Sequence, residues 1–315
     1  MKHIAPILIA AGLFVLASCE KVIEFDDSLT SPSPVLNAIA TEGNQLFVNY
    51  TYSRFFLDTN NAHPIADVDM VVTANGTDYR PVSVDGCNYF FDYIPHEDDQ
   101  LGIRVLSAAG EASARTIIPR NPRISTPNVF LQDSVFRTLV INFNIDDHPD
   151  YDNYYRFTIS QRDSGARYRP YREVYDTIDT TYHTIFFCFD RAITDPTAAA
   201  TEALGGYLYQ QLLTSDKLID GQNHNTTLML IMLRDTNEVG TFIHQYSLTV
   251  ESVSPERYQY LQDIESATSI TQLLTEPAPV YSNVNGALGI FAGNARRTFP
   301  LYTVVNENDP VPPKR

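Results

Sequence analysis

Turn signals recur so closely through the first third of this chain that they cap strand length and leave little room for helix. Gly43-Asn44 separates Val35-Leu36-Asn37-Ala38-Ile39 from the run Gln45 to Tyr52. Asn75-Gly76, the strongest short hairpin signal, separates Val68 to Thr73 from Tyr79 to Val84. Tyr89 to Tyr93, Leu101 to Leu106 and, after Gly110, Ala114 to Ile118 follow in step. Six or seven strands within about ninety residues predict an antiparallel sandwich of the immunoglobulin or fibronectin kind. The composition agrees: 19 Tyr, 17 Phe and 19 Pro with no Trp suit pleated, half-buried surfaces joined by many turns.

Prolines 122 and 127 mark a linker, after which strands resume at Val135 to Ile145, Tyr154 to Gln161 and Thr184 to Phe189. Arg162 to Thr181 reads as a long hairpin arm. Residues 191–215, with three consecutive alanines and Tyr207 to Leu213, lean helical. Thr226 to Leu233 and Gly240 to Val253 are strands, the latter a clear alternation of Phe242, His244, Tyr246, Leu248 and Val250 with polar neighbours. Ser254-Pro255 then opens a helix, because serine caps free amides and proline suits the first helical position. The expected chain is mainly β: a tether at 19–33, an N-terminal sandwich at 34–120, and a second β-rich domain at 121–315 with short helices near 200–214 and 255–266.

The first 18 residues read as a leader to be removed. Lys2 precedes an almost wholly apolar run from Ile4 to Val15, and Leu16-Ala17-Ser18-Cys19 forms a lipobox. The run is shorter than the roughly 20 apolar residues of a spanning helix, and no later stretch approaches that length. Lipidation at Cys19 would therefore hold the mature chain on a membrane, with no transmembrane helix. The acids that follow, Glu20, Glu24, Asp26 and Asp27, read as a solvated tether. A formal charge of −16 argues against nucleic acid and against docking on an anionic bilayer.

Catalytic signatures are weak. Cys87 and Cys188 sit beside aromatic residues; an exported chain permits their pairing, but buried free thiols fit that setting better. After His3 leaves with the leader, no two histidines lie within five positions, which fails zinc spacing, so no metal and no cofactor is expected. The acidic loop Asp146 to Asn153 crowds oxygen ligands but lacks the glycine and terminal glutamate of a calcium loop, and a solvated turn is the simpler reading. No Gly-x-Ser-x-Gly elbow is present, and a glycosidase carboxylate pair is a question of three-dimensional distance. The run Asn283 to Gly293 lacks a phosphate-binding pattern and reads as close backbone packing. Within the arm, Arg162, Arg167, Arg169 and Arg172 interleave with Tyr168, Tyr171 and Tyr175, side chains enriched at interface hot spots, against the alternative of a solvated hairpin with cross-strand Arg–Asp pairs. Arg162, Arg167, Tyr168, Arg169, Tyr171 and Arg172 are the candidate partner-binding residues.

The order of lipobox, Ser53-Arg54-Phe55-Phe56, Asn75-Gly76, Tyr93-x-Pro95, Thr116-Ile117-Ile118-Pro119, Leu218-Ile219-Asp220-Gly221, Val253-Ser254-x-Glu256-x-Tyr258-x-Tyr260-Leu261 and Asn283-Val284-x-Gly286-x-Leu288-Gly289-Ile290-Phe291 resembles a Bacteroidetes lipoprotein family catalogued as domain of unknown function 4249. The acids after Cys19 likewise resemble the signal that sends lipoproteins of that group to the outer face of the outer membrane. One departure is Pro95-His96-Glu97-Asp98-Asp99, where a glycine is expected before the aspartate. The resemblance implies a cell-envelope lipoprotein, typically encoded beside a TonB-dependent outer-membrane receptor and without an assigned reaction. The expectation is a binding or accessory module; a surface glycan- or peptide-active enzyme and a purely structural envelope protein are the alternatives.

Overall fold

Three sheets build two cores, and the largest sheet is shared between them. The computed structural model describes residues 32–54, 63–133, 137–169, 174–194, 201–203, 206–232, 240–268 and 280–308. Every described strand and the described helix belong to the unit formed by Ser33–Ser53 and Asn61–Arg315.

The shared sheet has nine strands, in the order β12 (Val174–Thr184), β11 (Tyr154–Arg169), β18 (Gly240–Val253), β19 (Leu288–Asn308), β1 (Pro34–Thr41), β2 (Phe47–Tyr52), β6 (Asn88–Phe91) and β5 (Pro81–Asp85), with β16 (Leu212–Ser215) also paired to β11. A four-stranded sheet runs β4 (Thr77–Tyr79), β3 (Asp69–Ala74), β7 (Gln100–Ser107) and β8 (Gly110–Ile117). A six-stranded sheet runs β14 (Thr201–Ala203), β15 (Gly206–Tyr209), β13 (Phe186–Cys188), β17 (Asn223–Ile231), β10 (Arg137–Asp146) and β9 (Asn128–Asp133). The expected mainly β, sandwich-rich architecture is what the chain forms.

The first core lies between β1, β2 and β6 of the large sheet and the four-stranded sheet, where Leu36, Val48, Phe91, Val72 and Val105 are fully buried. The second lies between β11, β18 and β19 and the six-stranded sheet, around Phe143, Phe157, Phe186, Leu228 and Leu248. Alternation drives both: in β7, Leu101, Ile103 and Val105 point inward while Gln100, Arg104 and Leu106 face solvent.

The 21-residue strand β19 joins the two. Its start lies parallel to β1, from Leu288 opposite Val35 to Asn294 opposite Thr41. Its remainder, from Asn294 onward, pairs antiparallel with β18. Accordingly Phe291 enters the first core and Phe299 the second. Glycine is required where this strand starts. At Gly289, with φ +108°, an added Cβ would lie 2.1 Å from the Leu36 carbonyl oxygen, and at Gly293 it would lie 2.2 Å from that of Ile117. The glycine-rich run is thus a close backbone approach, as its sequence suggested.

Asn75 and Gly76 both adopt positive φ, 50° and 84°, and turn β3 directly into β4, as the hairpin signal predicts. The predicted 255–266 helix is α1 (Pro255–Thr268). The Ser254 carbonyl accepts the Tyr258 amide at 2.9 Å, and the Tyr258 ring stands 4.5 Å from that of Tyr154. The arm is a continuous β11–β12 hairpin from Ile159 opposite Thr184 to Arg169 opposite Val174.

The helix expected near 200–214 is not formed: Gly206–Tyr209 and Leu212–Ser215 are strands. β15 completes the six-stranded sheet against β13, with Tyr209 opposite Phe186, and β16 adds to β11, with Leu212 opposite Phe157. Aromatic pairs across strands outweigh local helix propensity here. The three alanines that suggested helix lie outside the described residues.

α1 is held to the sheet by buried charge. Arg156 donates to the Glu251 Oε2 at 2.7 Å, Asn294 donates to Oε1 at 3.1 Å, and the Arg257 guanidinium lies 3.6 Å from Oε1. Burial alone would raise the Glu251 carboxyl, but the adjoining Arg257 and Arg156 guanidiniums hold it below its ordinary range.

Candidate functional site

The outward face of the four-stranded sheet floors an open groove of about 1190 Å3. The register decides what faces it: Gly102 pairs with Arg115 and Arg104 with Ser113, while Thr73 and Val71 stand beside Gly102 and Arg104 on β3. The floor is therefore small and neutral at its centre, with two exposed guanidiniums rising from diagonal positions. Among the described residues, neither Arg104 nor Arg115 has a carboxylate partner.

One wall is pinned in place. Asn283 donates to the carbonyls of Arg115 at 3.2 Å and Phe291 at 2.8 Å, and Asn285 exchanges backbone hydrogen bonds with Ser113 at 2.8 and 3.0 Å. The Tyr281 amide donates to Asp263 at 2.8 Å, tying the wall to α1. Burial, with the nearby Glu256 charge, raises the Tyr281 phenol, which stays protonated. Acids line the groove as well: Asp78, which accepts the Thr73 hydroxyl at 2.6 Å, Glu111, which stands diagonal to Arg104 on β8, and Glu256, which accepts the Thr116 hydroxyl at 3.3 Å. The groove was not singled out in the sequence; its one signal was arginine at outward positions of two neighbouring alternating strands.

The arm gives a different picture. Arg162 forms a two-pronged ion pair with Asp179, both contacts 2.8 Å, which is the cross-strand pairing that the solvated-hairpin reading expects. Arg167, Tyr168 and Arg169 lie in β11 opposite Asp176, Tyr175 and Val174. Tyr171 and Arg172 fall outside the described residues, as does Cys19.

Within the acidic loop, only Asp147 joins a carboxylate cluster, and its partners come from elsewhere: ligand oxygens of Asp147, Asp216 and Asp220 lie within 4.8 Å of one another. Asp147 accepts the Tyr155 hydroxyl at 2.7 Å and the Gly221 amide at 3.0 Å, and Asp216 accepts the Asn153 amide. Burial, together with the Asp147 and Asp152 charges, pushes the Asp216 carboxyl up. Asp147 thus uses both its oxygens on protein donors and Asp216 one of its two.

Nucleophilic chemistry finds no support at the cysteines. Cys87 and Cys188 are both buried free thiols, and burial pushes Cys188 up to about 12, so it is not a thiolate at neutral pH. His224 lies 2.6 Å from Asp190, and His244 lies 2.7 Å from Asp163 in a group that Gln161 also joins.

A two-core β protein with a preformed groove on one sheet is the class these features define. Residues 20–299 match the family described as a domain of unknown function, DUF4249, and the chain belongs to that family. No curated protein matches it. Among solved structures, a DUF4785 family protein from Legionella pneumophila is similar over 69% of this chain at 11% identity and a TM-score of 0.25. This chain spans about half of that protein, 52% of its length. The collagen adhesin of S. aureus is 11% identical at a TM-score of 0.20, covering 87% of this chain and 94% of that one. The collagen binding domain of an Erysipelothrix rhusiopathiae surface protein is 10% identical at a TM-score of 0.17, covering 86% and 96%. Similarity at these scores carries no functional argument.

Proposed function

We propose that the protein is a lipid-anchored binding module of the bacterial outer membrane, acting beside a TonB-dependent receptor, with the groove over β3, β7 and β8 as its ligand surface. The observation that carries the binding reading is the pair of exposed guanidiniums Arg104 and Arg115, without a carboxylate partner among the described residues, over a small neutral floor beside a wall pinned by hydrogen bonds. Pre-organisation of this kind lowers the entropic cost of binding. The anchor rests on the lipobox at Cys19 and the acidic tether on the stretch behind it. No helix among the described residues is long and apolar enough to cross a membrane, so membrane attachment in this reading falls to the lipid. The arm, carrying Arg162, Arg167, Tyr168, Arg169, Tyr171 and Arg172, is the surface turned to the receptor.

Two measurements test this reading. Cys19→Ala should abolish labelling by an alkyne fatty acid and release the chain from membranes; persistent labelling contradicts the anchor. Crosslinking in native membranes should recover an outer-membrane receptor with the wild-type chain, and recovery of no envelope partner contradicts the accessory role.

A further inference from the structure

We infer that the groove takes an extended peptide bearing carboxylates at alternate positions, gripped by Arg104 and Arg115. The inference rests on the binding reading and is independent of the anchor. Spacing is the first argument. Arg104 and Arg115 occupy diagonal positions of adjacent antiparallel strands, because Arg104 pairs with Ser113 and Arg115 with Gly102. Such positions lie roughly 7–8 Å apart. Alternate residues of an extended peptide project from one face roughly 7 Å apart, at about 3.3–3.4 Å per residue. Two acidic side chains on one face of such a peptide therefore meet one guanidinium each, and arginine presents a planar fork of donors that matches a carboxylate.

Shape and charge select among acidic ligands. The groove, at about 1190 Å3, exceeds the roughly 300–1,000 Å3 of a small-molecule pocket and suits a chain segment. Thr73, Gly102 and Ser113 leave its floor low, so a backbone can approach the sheet; at Gly102 even an added Cβ would have its nearest neighbours at 4.0 Å. Asp78, Glu111 and Glu256 line the groove as well, and repel a ligand that is anionic at every unit, such as a nucleic acid or a polyuronate. Tyr281 is the one aromatic among the lining residues, which gives a sugar ring little to stack on. A peptide that alternates acids with neutral residues meets the two arginines while setting fewer charges against the lining acids than a polyanion does.

Fluorescence anisotropy with a fluorescein-labelled Gly-Glu-Ser-Glu-Gly peptide and the full mature chain tests the inference. Binding should weaken at least tenfold for Arg104→Gln combined with Arg115→Gln, with an unchanged unfolding midpoint, and should be retained by Arg120→Gln, whose ion pair with Asp98 lies outside the groove lining. On the wild-type chain, the Gly-Gln-Ser-Gln-Gly peptide should bind at least tenfold more weakly, a comparison that does not depend on any variant folding. Absence of binding, equal binding by the double variant, equal binding of the two peptides, or tighter binding of hexagalacturonate overturns the inference. Should the peptide fail while the chain still crosslinks to its receptor, the inference falls and the binding reading stands. Should no envelope partner be recovered, the reading itself falls.

Discussion

The first sandwich is built largely of sequence-adjacent hairpins and takes its long-range pairing from β1 and β19, whereas the second adds to its own hairpins pairings between strands far apart within its facing sheet. β3–β4, β5–β6 and β7–β8 are successive hairpins, but in the second β10 pairs with β17 across most of a hundred residues. Their polar content differs in the same direction. Among the described residues the first has one buried carboxylate, Asp99, which accepts hydrogen bonds from the Tyr93 hydroxyl, the His96 amide and Asn75. The second carries Asp147 and Asp216 against its core and Glu251 on the opposite face of β18, beneath α1. Short-range closure can rely on turns and alternation, while long-range closure here is accompanied by specific buried polar contacts that fix which strands meet. β19 gives each sandwich one phenylalanine, so the contrast holds within one shared sheet.

The sharpest way to break the contrast is to attack the first core from the C-terminal strand. Phe291→Ala should cost about 3–5 kcal/mol in urea unfolding although every other large side chain of that core comes from residues 36–118 or from Val284. A loss typical of a surface site would separate β19 from the first core. Glu251→Ala should cost about 3 kcal/mol, the low end for a broken buried pair, because the Arg156 side chain keeps 19% of its surface in solvent. Gly76→Ala should cost about 1–2 kcal/mol from backbone strain alone, since nothing lies within 4 Å of the added Cβ.

pH separates Asp99 of the first sandwich from Asp216 of the second by sign. Burial would raise Asp99, but donation from Tyr93, the His96 amide and Asn75 leaves its carboxyl below the ordinary value. Its contribution is present above the unfolded carboxylate pKa and is lost as pH falls through the depressed folded value. Asp216 is shifted upward, so its contribution is full below the unfolded pKa and is lost as pH rises through the folded value. Asp99→Asn should therefore flatten the acid limb of stability, and Asp216→Asn should remove a decline on going from acid toward neutral pH. Chemical unfolding of both variants between about pH 3 and 7 reads the two signs. The smallest effect belongs to the arm: Arg162→Ala should leave the unfolding midpoint unchanged, because its ion pair with Asp179 is exposed.

What the sequence disclosed follows the same divide. Asn75-Gly76, Ser254-Pro255 and the alternation of Gly240 to Val253 are local signals, and each produced the element it specified. Residues 206–215 misled because their conformation is set by Phe186 and Phe157 on other strands. The same limit hid the groove and the acidic cluster. Arg104 and Arg115 become neighbours only through the β7–β8 register, and Asp216 and Asp220 reach Asp147 only after the chain has crossed both faces of the second core.

A buried free thiol in each region offers the most direct test of the claim that β19 makes one cooperative unit of two cores. Cys87 lies between β5 and β6, and Cys188 lies in β13. In a Cys19→Ser chain, pulsed thiol labelling across a urea series should expose both cysteines with one midpoint and one slope. Exposure of Cys87 at clearly lower urea, with Cys188 still protected, would contradict the claim and make the two sandwiches independent.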